Sequence, residues 1–208
     1  MSIGIFDKNL SFLCMLLIGC VGLCGAGVAL GADFTPFPDT GQHKCYDQDG
    51  NLIVCPAPGD SMAQDGSYDA DQGKVQQAFT DNGDGTVTDN NTGLMWQQAT
   101  ADINKDNVID DNDKLNWQAA KDYCATLNFA NNSGWRLPSL FELTTIVDYD
   151  RFNPAINSVF SCESSYYWSS GSYTNGASSA WFVNFFYGYD GWDDQSNSYY
   201  VRCVRGGL

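Results

Sequence analysis

Residues 166–205 read YYWSSGSYTNGASSAWFVNFFYGYDGWDDQSNSYYVRCVR. The stretch interleaves Tyr, Trp and Phe with Ser, Asn, Asp and Gly, and it contains neither Lys nor Glu. Apolar residues alternate at Trp181, Val183 and Phe185 and again at Val201 and Cys203, the period of strands with one buried face. On this reading Trp168, Trp181, Val183, Phe185, Val201 and Cys203 are scaffold, and the positions between them face outward with the Gly-broken loop 187–198. Rigid amphipathic rings supply contact area at low entropic cost, while Ser, Gly and Asn supply adaptable hydrogen bonds. The expected ligand-binding residues are Tyr166, Tyr173, Phe182, Asn184, Tyr187, Tyr189, Asp190, Trp192, Asp193, Asp194, Gln195 and Asn197. The rings would stack on sugars, and the Asp, Asn and Gln side chains would bond hydroxyls or ligate calcium. The sole histidine, His43, lies far from this block, and no nucleophile–base pair is visible. Recognition, not catalysis, is the expectation.

Upstream, FTDNGDGTVTD (79–89) places two short strands around an Asn-Gly-Asp-Gly turn, a hairpin signal. Leu94-Met95-Trp96 continues as a buried apolar run. Residues 114–129 carry Leu115, Ala119, Tyr123 (or Cys124) and Leu127 at helical spacing, with Asp113 as cap. A second helix is expected over 139–149, where Ser139 and Glu142 form a capping-box pattern ahead of Leu140, Leu143, Ile146 and Val147. Two helices followed by a loop-rich β half read as an α+β fold.

Between hairpin and helix, DINKDNVIDDND (102–113) fits a twelve-residue calcium loop. Side-chain oxygens of Asp102, Asn104, Asp106, Asp110 and Asp113, with the carbonyl of Val108, are the expected ligands of a structural Ca2+. Asn107 stands where such loops carry glycine, which Asn tolerates because it enters the left-handed region, and Asp113 replaces the usual glutamate. The competing reading is a solvated acidic loop that caps the helix. Asp81, Asp84 and Asp89 would suit a second site, but turn chemistry explains them as well and is preferred. Arg136, Arg202 and Arg205 are expected to brace the fold by pairing with carboxylates.

The net charge of −15 at pH 7 argues against nucleic acid, because phosphate binding needs clustered Lys and Arg. Residues 10–32 are almost uncharged and rich in Leu, Gly, Cys and Ala, which reads as an export signal. Leu17-Ile18-Gly19-Cys20 resembles a lipobox, so Cys20 is the candidate lipidation site and lipid anchor; Ala29 to Ala32 offer ordinary cleavage instead. Cys45, Cys55, Cys124, Cys162 and Cys203 follow this leader. In an oxidising compartment they should pair and leave an odd thiol, and Cys45 and Cys55 bracket a short turn. The organisation read from the chain is a signal over 1–32, a disulfide-stapled Pro/Gly-rich extension over 33–75, and the main domain over 76–208.

FTDNGDGTVTDNNTGLMW (79–96), WQAAKDYC (117–124), GWRLPSLFEL (134–143), NPAIN (153–157), YYWSS (166–170), AWFVNF (180–185) and YVRCVRGG (200–207) occur in this order. Together they resemble the Lcl C-terminal domain family, exported bacterial domains with a C-type-lectin-like fold. FPDTGQHKCYD (37–47) is similar to a segment that often precedes such domains. The resemblance implies a domain that binds surface or extracellular carbohydrate or protein, and a Cys124–Cys203 disulfide that leaves Cys162 unpaired. The composition of residues 166–199 also resembles the ligand face of C-type-lectin-like proteins diversified by retroelements. The same fold class hosts formylglycine-generating enzymes, so an enzymatic relative and a structural adhesin are the alternatives to recognition.

Overall fold

The computed structural model describes residues 42–49, 51–57, 59–61, 63, 64, 67, 76–176 and 178–206, all within the compact unit Thr35–Leu208. The expected leader and Cys20 lie outside the described residues. The element order is β1 (Cys45–Tyr46), β2 (Leu52–Ile53), β3 (Phe79–Asp81), β4 (Thr86–Asp89), β5 (Met95–Gln97), α1 (Trp117–Thr126), α2 (Leu140–Thr144), β6 (Tyr166–Ser172), β7 (Ser179–Asn184), β8 (Tyr189–Asp194) and β9 (Val204–Arg205). They form an antiparallel pair β1-β2, a sheet β3-β4-β5-β9 and a sheet β6-β7-β8. The fold is mixed α+β.

Local chemistry sets the elements. Asp81 Oδ1 accepts the N–H of Gly83 at 2.8 Å, and Asp84 Oδ1 accepts the N–H and hydroxyl of Thr86 at 3.0 and 2.6 Å. Gly83 and Gly85 take φ of 75° and 84°, the region only glycine enters freely. The acids of this hairpin thus satisfy its own turn. Ser139 caps α2 reciprocally: its Oγ accepts from Glu142 N at 3.1 Å, and Glu142 Oε2 accepts from Ser139 N at 2.8 Å.

Both helices are shorter than their patterns predict. Leu115 forms a bridge with Tyr199, which takes Lys114–Leu115 out of the helix. Asn116, not Asp113, then caps α1 by accepting from Ala119 N. The buried face is Trp117, Ala120 and Cys124, which agrees with the expected stripe at Cys124 and puts Ala120 in place of Ala119. Helix α2 stops at Thr144, although Ile146 and Val147 after it are fully buried.

Two hydrophobic clusters fill the interior. One gathers Val87, Trp96, Leu143, Ile146, Tyr167, Val183, Phe185 and Val204 among others. The second gathers Trp117, Ala120, Cys124, Trp135, Trp168, Phe182, Val201 and Cys203 among others. Neighbours in β6 and β7 therefore feed different cores: Tyr167 and Val183 one, Trp168 and Phe182 the other. Strands β6 and β7 are covered on both faces, and each fully buried Leu143- or Phe185-sized side chain contributes about 1.5–3 kcal/mol.

Disulfides join Cys45 to Cys55 and Cys124 to Cys203, and Cys162 is free. The second bridge ties α1 to the residue before β9 across a sequence separation of 79. Arg136 pairs bidentately with Glu142 at 2.7 and 2.6 Å, as expected. Arg205 bonds Asn132 Oδ1 instead of a carboxylate. Arg202, also expected to meet an aspartate, is fully buried and donates to the carbonyls of Gln97, Gln98 and Ser161 at 2.6–2.7 Å.

Replacing Cys124 and Cys203 together by alanine should cost about 4 kcal/mol in denaturant unfolding, from the loop entropy returned to the unfolded chain. Burial pushes the Glu142 carboxyl up, but its bonds to Arg136 and Ser139 outweigh that and hold it below the ordinary 4.5. Its stabilising contribution is therefore present above about pH 4.5 and lost as pH falls through the folded-state value. The half-exposed pair is worth about 1 kcal/mol. Glu142→Gln should be less stable than the parent at pH 7, and the gap should close on acidification.

Candidate functional site

The strand registers divide the expected binding residues between two faces. Pairs Tyr166↔Asn184, Trp168↔Phe182, Phe182↔Gly191 and Asn184↔Tyr189 lie on one face of the sheet; Tyr167↔Val183, Trp181↔Trp192 and Val183↔Asp190 lie on the other.

On the first face Tyr166 stacks on Tyr199 at 5.0 Å and meets Phe182 edge-on at 5.1 Å. Phe182, expected to point outward, is only 7% exposed. Its ring occupies the space a side chain at residue 191 would need, since a Cβ built on Gly191 would sit 2.7 Å from it. Asn184 is likewise buried rather than presented. Its Oδ1 accepts from Phe186 N at 2.7 Å and its Nδ2 donates to Tyr189 Oη at 3.2 Å. Asp193 accepts the hydroxyl of Tyr199. Burial pushes the Tyr199 phenol well up, and the aspartate reinforces it.

Beside these groups opens a cleft of about 280 Å³ lined by Ser164, Ser165, Tyr166, Asn184, Phe186, Tyr187 and Tyr189. Tyr187 and Tyr189 are 65% and 44% exposed and lie parallel at 6.5 Å. The turn bearing them requires Gly188, at φ 84°, where a Cβ would meet Val147 at 2.8 Å. A hydrogen bond with Tyr166, followed by burial, raises the Tyr189 phenol, so its hydroxyl stays a protonated donor at neutral pH. Ser164, Ser165 and Tyr199 were missed in the sequence. The strand period points to Tyr199, two residues before Val201, whereas the two serines carry no signal.

On the second face Trp192, 53% exposed, stacks on Tyr173 at 4.7 Å and 6°. Tyr173 also meets Trp181 edge-on at 5.2 Å, and Trp181, expected in the scaffold, is only partly buried. Asp190 and Asp194 share this face with Trp192 by alternation. Gln195 Nε2 donates to Ser179 O at 3.0 Å, and exposed Asn197 closes a turn through its backbone N–H on Asp194 O at 3.0 Å.

The loop 102–113 is wound by its own side chains. Asp102 accepts from Lys105 N and Asn107 N, Asn104 from Asp106 N, Asp106 from Val108 N, and Asp110 from Asn112 N. Asp113 is fully buried and accepts from the N–H groups of Ile103, Asn104 and Asp110. Lys105 and Asn107 take φ of 62° and 65°, so Asn107 does adopt the left-handed turn. Among the described residues no three His, Cys, Asp or Glu side chains form a group spaced for a metal. The oxygens of Asp102, Asn104, Asp106 and Asp110 keep lone pairs beyond these bonds, the hard donors a calcium ion takes, but they are not gathered around one point. A neighbouring cleft of about 470 Å³, lined in part by Gln97, Thr100, Asp102, Lys105 and Tyr123, was not anticipated.

The paired cysteines fit an oxidising compartment outside the cytoplasm, and among the described residues no helix is long and apolar enough to cross a membrane. No curated protein matches the chain. The Lcl C-terminal domain family matches residues 85–205, from the β3–β4 turn to the last strand. The chain belongs to the Lcl C-terminal domain family.

Proposed function

We propose that this protein is an exported or surface-attached recognition domain of C-type-lectin-like fold whose tyrosine cleft binds an extracellular glycan. The observation that carries the reading is the cleft itself: half-exposed phenol rings of Tyr187 and Tyr189 beside Tyr166, with Ser164 and Ser165 supplying hydroxyl groups. Pyranose faces stack on such rings, and neutral donors and acceptors match sugar hydroxyls. No Lys or Arg occurs between Arg151 and Arg202, so a sulfated or phosphorylated ligand finds no counter-charge in this stretch. Family membership supports the exported setting. The C-type-lectin-like assignment is supported by two helices packed against antiparallel sheets and by a final strand that returns to pair with β5. Retroelement diversification would act on the exposed members of residues 166–199, since buried Phe182 and Asn184 would not tolerate it.

Catalysis is the weaker reading. A formylglycine-generating site needs an unbridged cysteine pair, whereas Cys124 and Cys203 are joined. Burial pushes the Cys162 thiol up, away from the reactive thiolate.

On a glycan array the full chain should select neutral saccharides. Tyr187→Ala with Tyr189→Ala should weaken that binding roughly tenfold or more, about 1.4 kcal/mol, at unchanged melting temperature. Equal binding by parent and variant would refute the cleft. We also propose that loop 102–113 binds a structural Ca2+. Adding calcium at about a hundredfold its Kd should then stabilise the chain by about 2.7 kcal/mol, and Asp102→Ala should remove the effect. A melting temperature indifferent to chelator would dismiss the ion.

A further inference from the structure

The second face of the β6-β7-β8 sheet is not used by the glycan cleft. Strand β8 is the free edge of that sheet, paired with β7 alone among the described residues. Its alternation sets Asp190, Trp192 and Asp194 in a row about 7 Å apart on one face. Tyr173 stacks flat on Trp192, Trp181 buttresses Tyr173 from its edge, and Trp192 remains half exposed. A large ring pre-stacked in the open, with a carboxylate on either side, is the arrangement that attracts a cation to an aromatic face. Both acids are exposed. The backbone N–H of Ser196 holds the Asp194 carboxyl below its ordinary value, so it keeps its charge into mildly acidic solution.

An edge strand with open backbone groups invites another strand, and charges commonly guard against this. Guarding accounts for Asp190 and Asp194 but not for half-exposed Trp192 between them, stacked on Tyr173. The charges also decide which strand is admitted. A second copy would bring the same acids to the same edge, and like charges directly opposite are destabilising. The 50-residue interval between Arg151 and Arg202 holds no cation to compensate them. An extended segment with Arg or Lys at alternate positions would place its cations over Trp192 and against Asp190 and Asp194, while its backbone continues the β8 ladder.

We infer that the β8 edge is a docking site for an extended basic peptide segment of a partner protein, independent of the glycan cleft. The test titrates the full chain with a short peptide alternating arginine and threonine, followed by calorimetry at low salt. The peptide should bind, and should be largely released at about 1 M salt, where screening shortens to about 3 Å. Asp190→Asn with Asp194→Asn, which keeps the Ser196 hydrogen bond, should weaken binding roughly tenfold, and so should Trp192→Ala. N-methylation of alternate peptide nitrogens should abolish binding at unchanged charge, because it blocks strand addition. Tyr187→Ala with Tyr189→Ala should leave it unaltered, which separates this site from the cleft. Four results would overturn the inference: no binding of the arginine peptide, equal binding of a glutamate–threonine peptide, undiminished binding of the N-methylated form, or binding of a glucosamine oligomer in the peptide's place. Self-association through β8, seen as a dimer lost in Trp192→Ala, would overturn it as well.

Discussion

The guanidinium of Arg202 sits with no exposure to solvent where three segments of the chain meet. It donates to the carbonyls of Gln97 and Gln98 at the end of β5 and of Ser161 before β6, and lies 5.1 Å from the Phe160 ring centroid and 5.9 Å from that of Tyr167. Desolvating an unpaired charge costs several kcal/mol. Three charge-assisted hydrogen bonds, each worth about 1.5–3 kcal/mol, and two aromatic faces offset that cost. Carbonyls take up Nη1 and Nη2 without importing a second buried charge, while Nε is buried without a hydrogen-bond partner among the described residues. The interaction is worth its cost only when all three segments are in place, so it couples the hairpin sheet to the aromatic sheet.

Around Arg202 the terminal run distributes its side chains to both cores. Tyr200 and Val204 join the first cluster, Val201 and Cys203 the second. Cys203 is bridged to α1, and β9 closes the sheet beside β5. The last residues therefore act as a seam between layers, and strands β6 and β7 are wedged between two packed interiors. The wedge limits which side chains reach solvent, because the positions of β6 and β7 are largely consumed by packing. Among the described residues of 166–205 the rings most open to solvent are Tyr187 in the turn before β8 and Tyr189 and Trp192 on β8 itself. The aromatic block consequently offers two separate surfaces: a neutral, hydroxyl-lined cleft and an acidic edge.

Residue chemistry that acts over a few positions was legible without coordinates. The Asn-Gly-Asp-Gly hairpin, the Ser139–Glu142 capping box, the short Cys45–Cys55 staple and the left-handed Asn107 all depend on neighbours within about ten residues, and each stands in the structure. The start of α1 was misplaced because Leu115 bonds Tyr199, a partner 84 positions away. Phe182 was assigned outward because strict alternation presumes one buried face. A strand covered on both sides has no outward face, and no pattern within six residues distinguishes the cases.

By itself the sequence determined the class of the fold, its family and the chemistry available to the C-terminal block: rings, small polar groups and acids without cations. These follow from composition and short-range spacing, which survive any arrangement of the chain. Tertiary structure alone decided that Phe182 and Asn184 are interior, that Trp181 is incompletely buried, that Arg202 is held by carbonyls, and that Tyr189 and Trp192 lie on different faces. Those outcomes depend on which distant segments close over each position, and burial is a property of that closure and not of the residue.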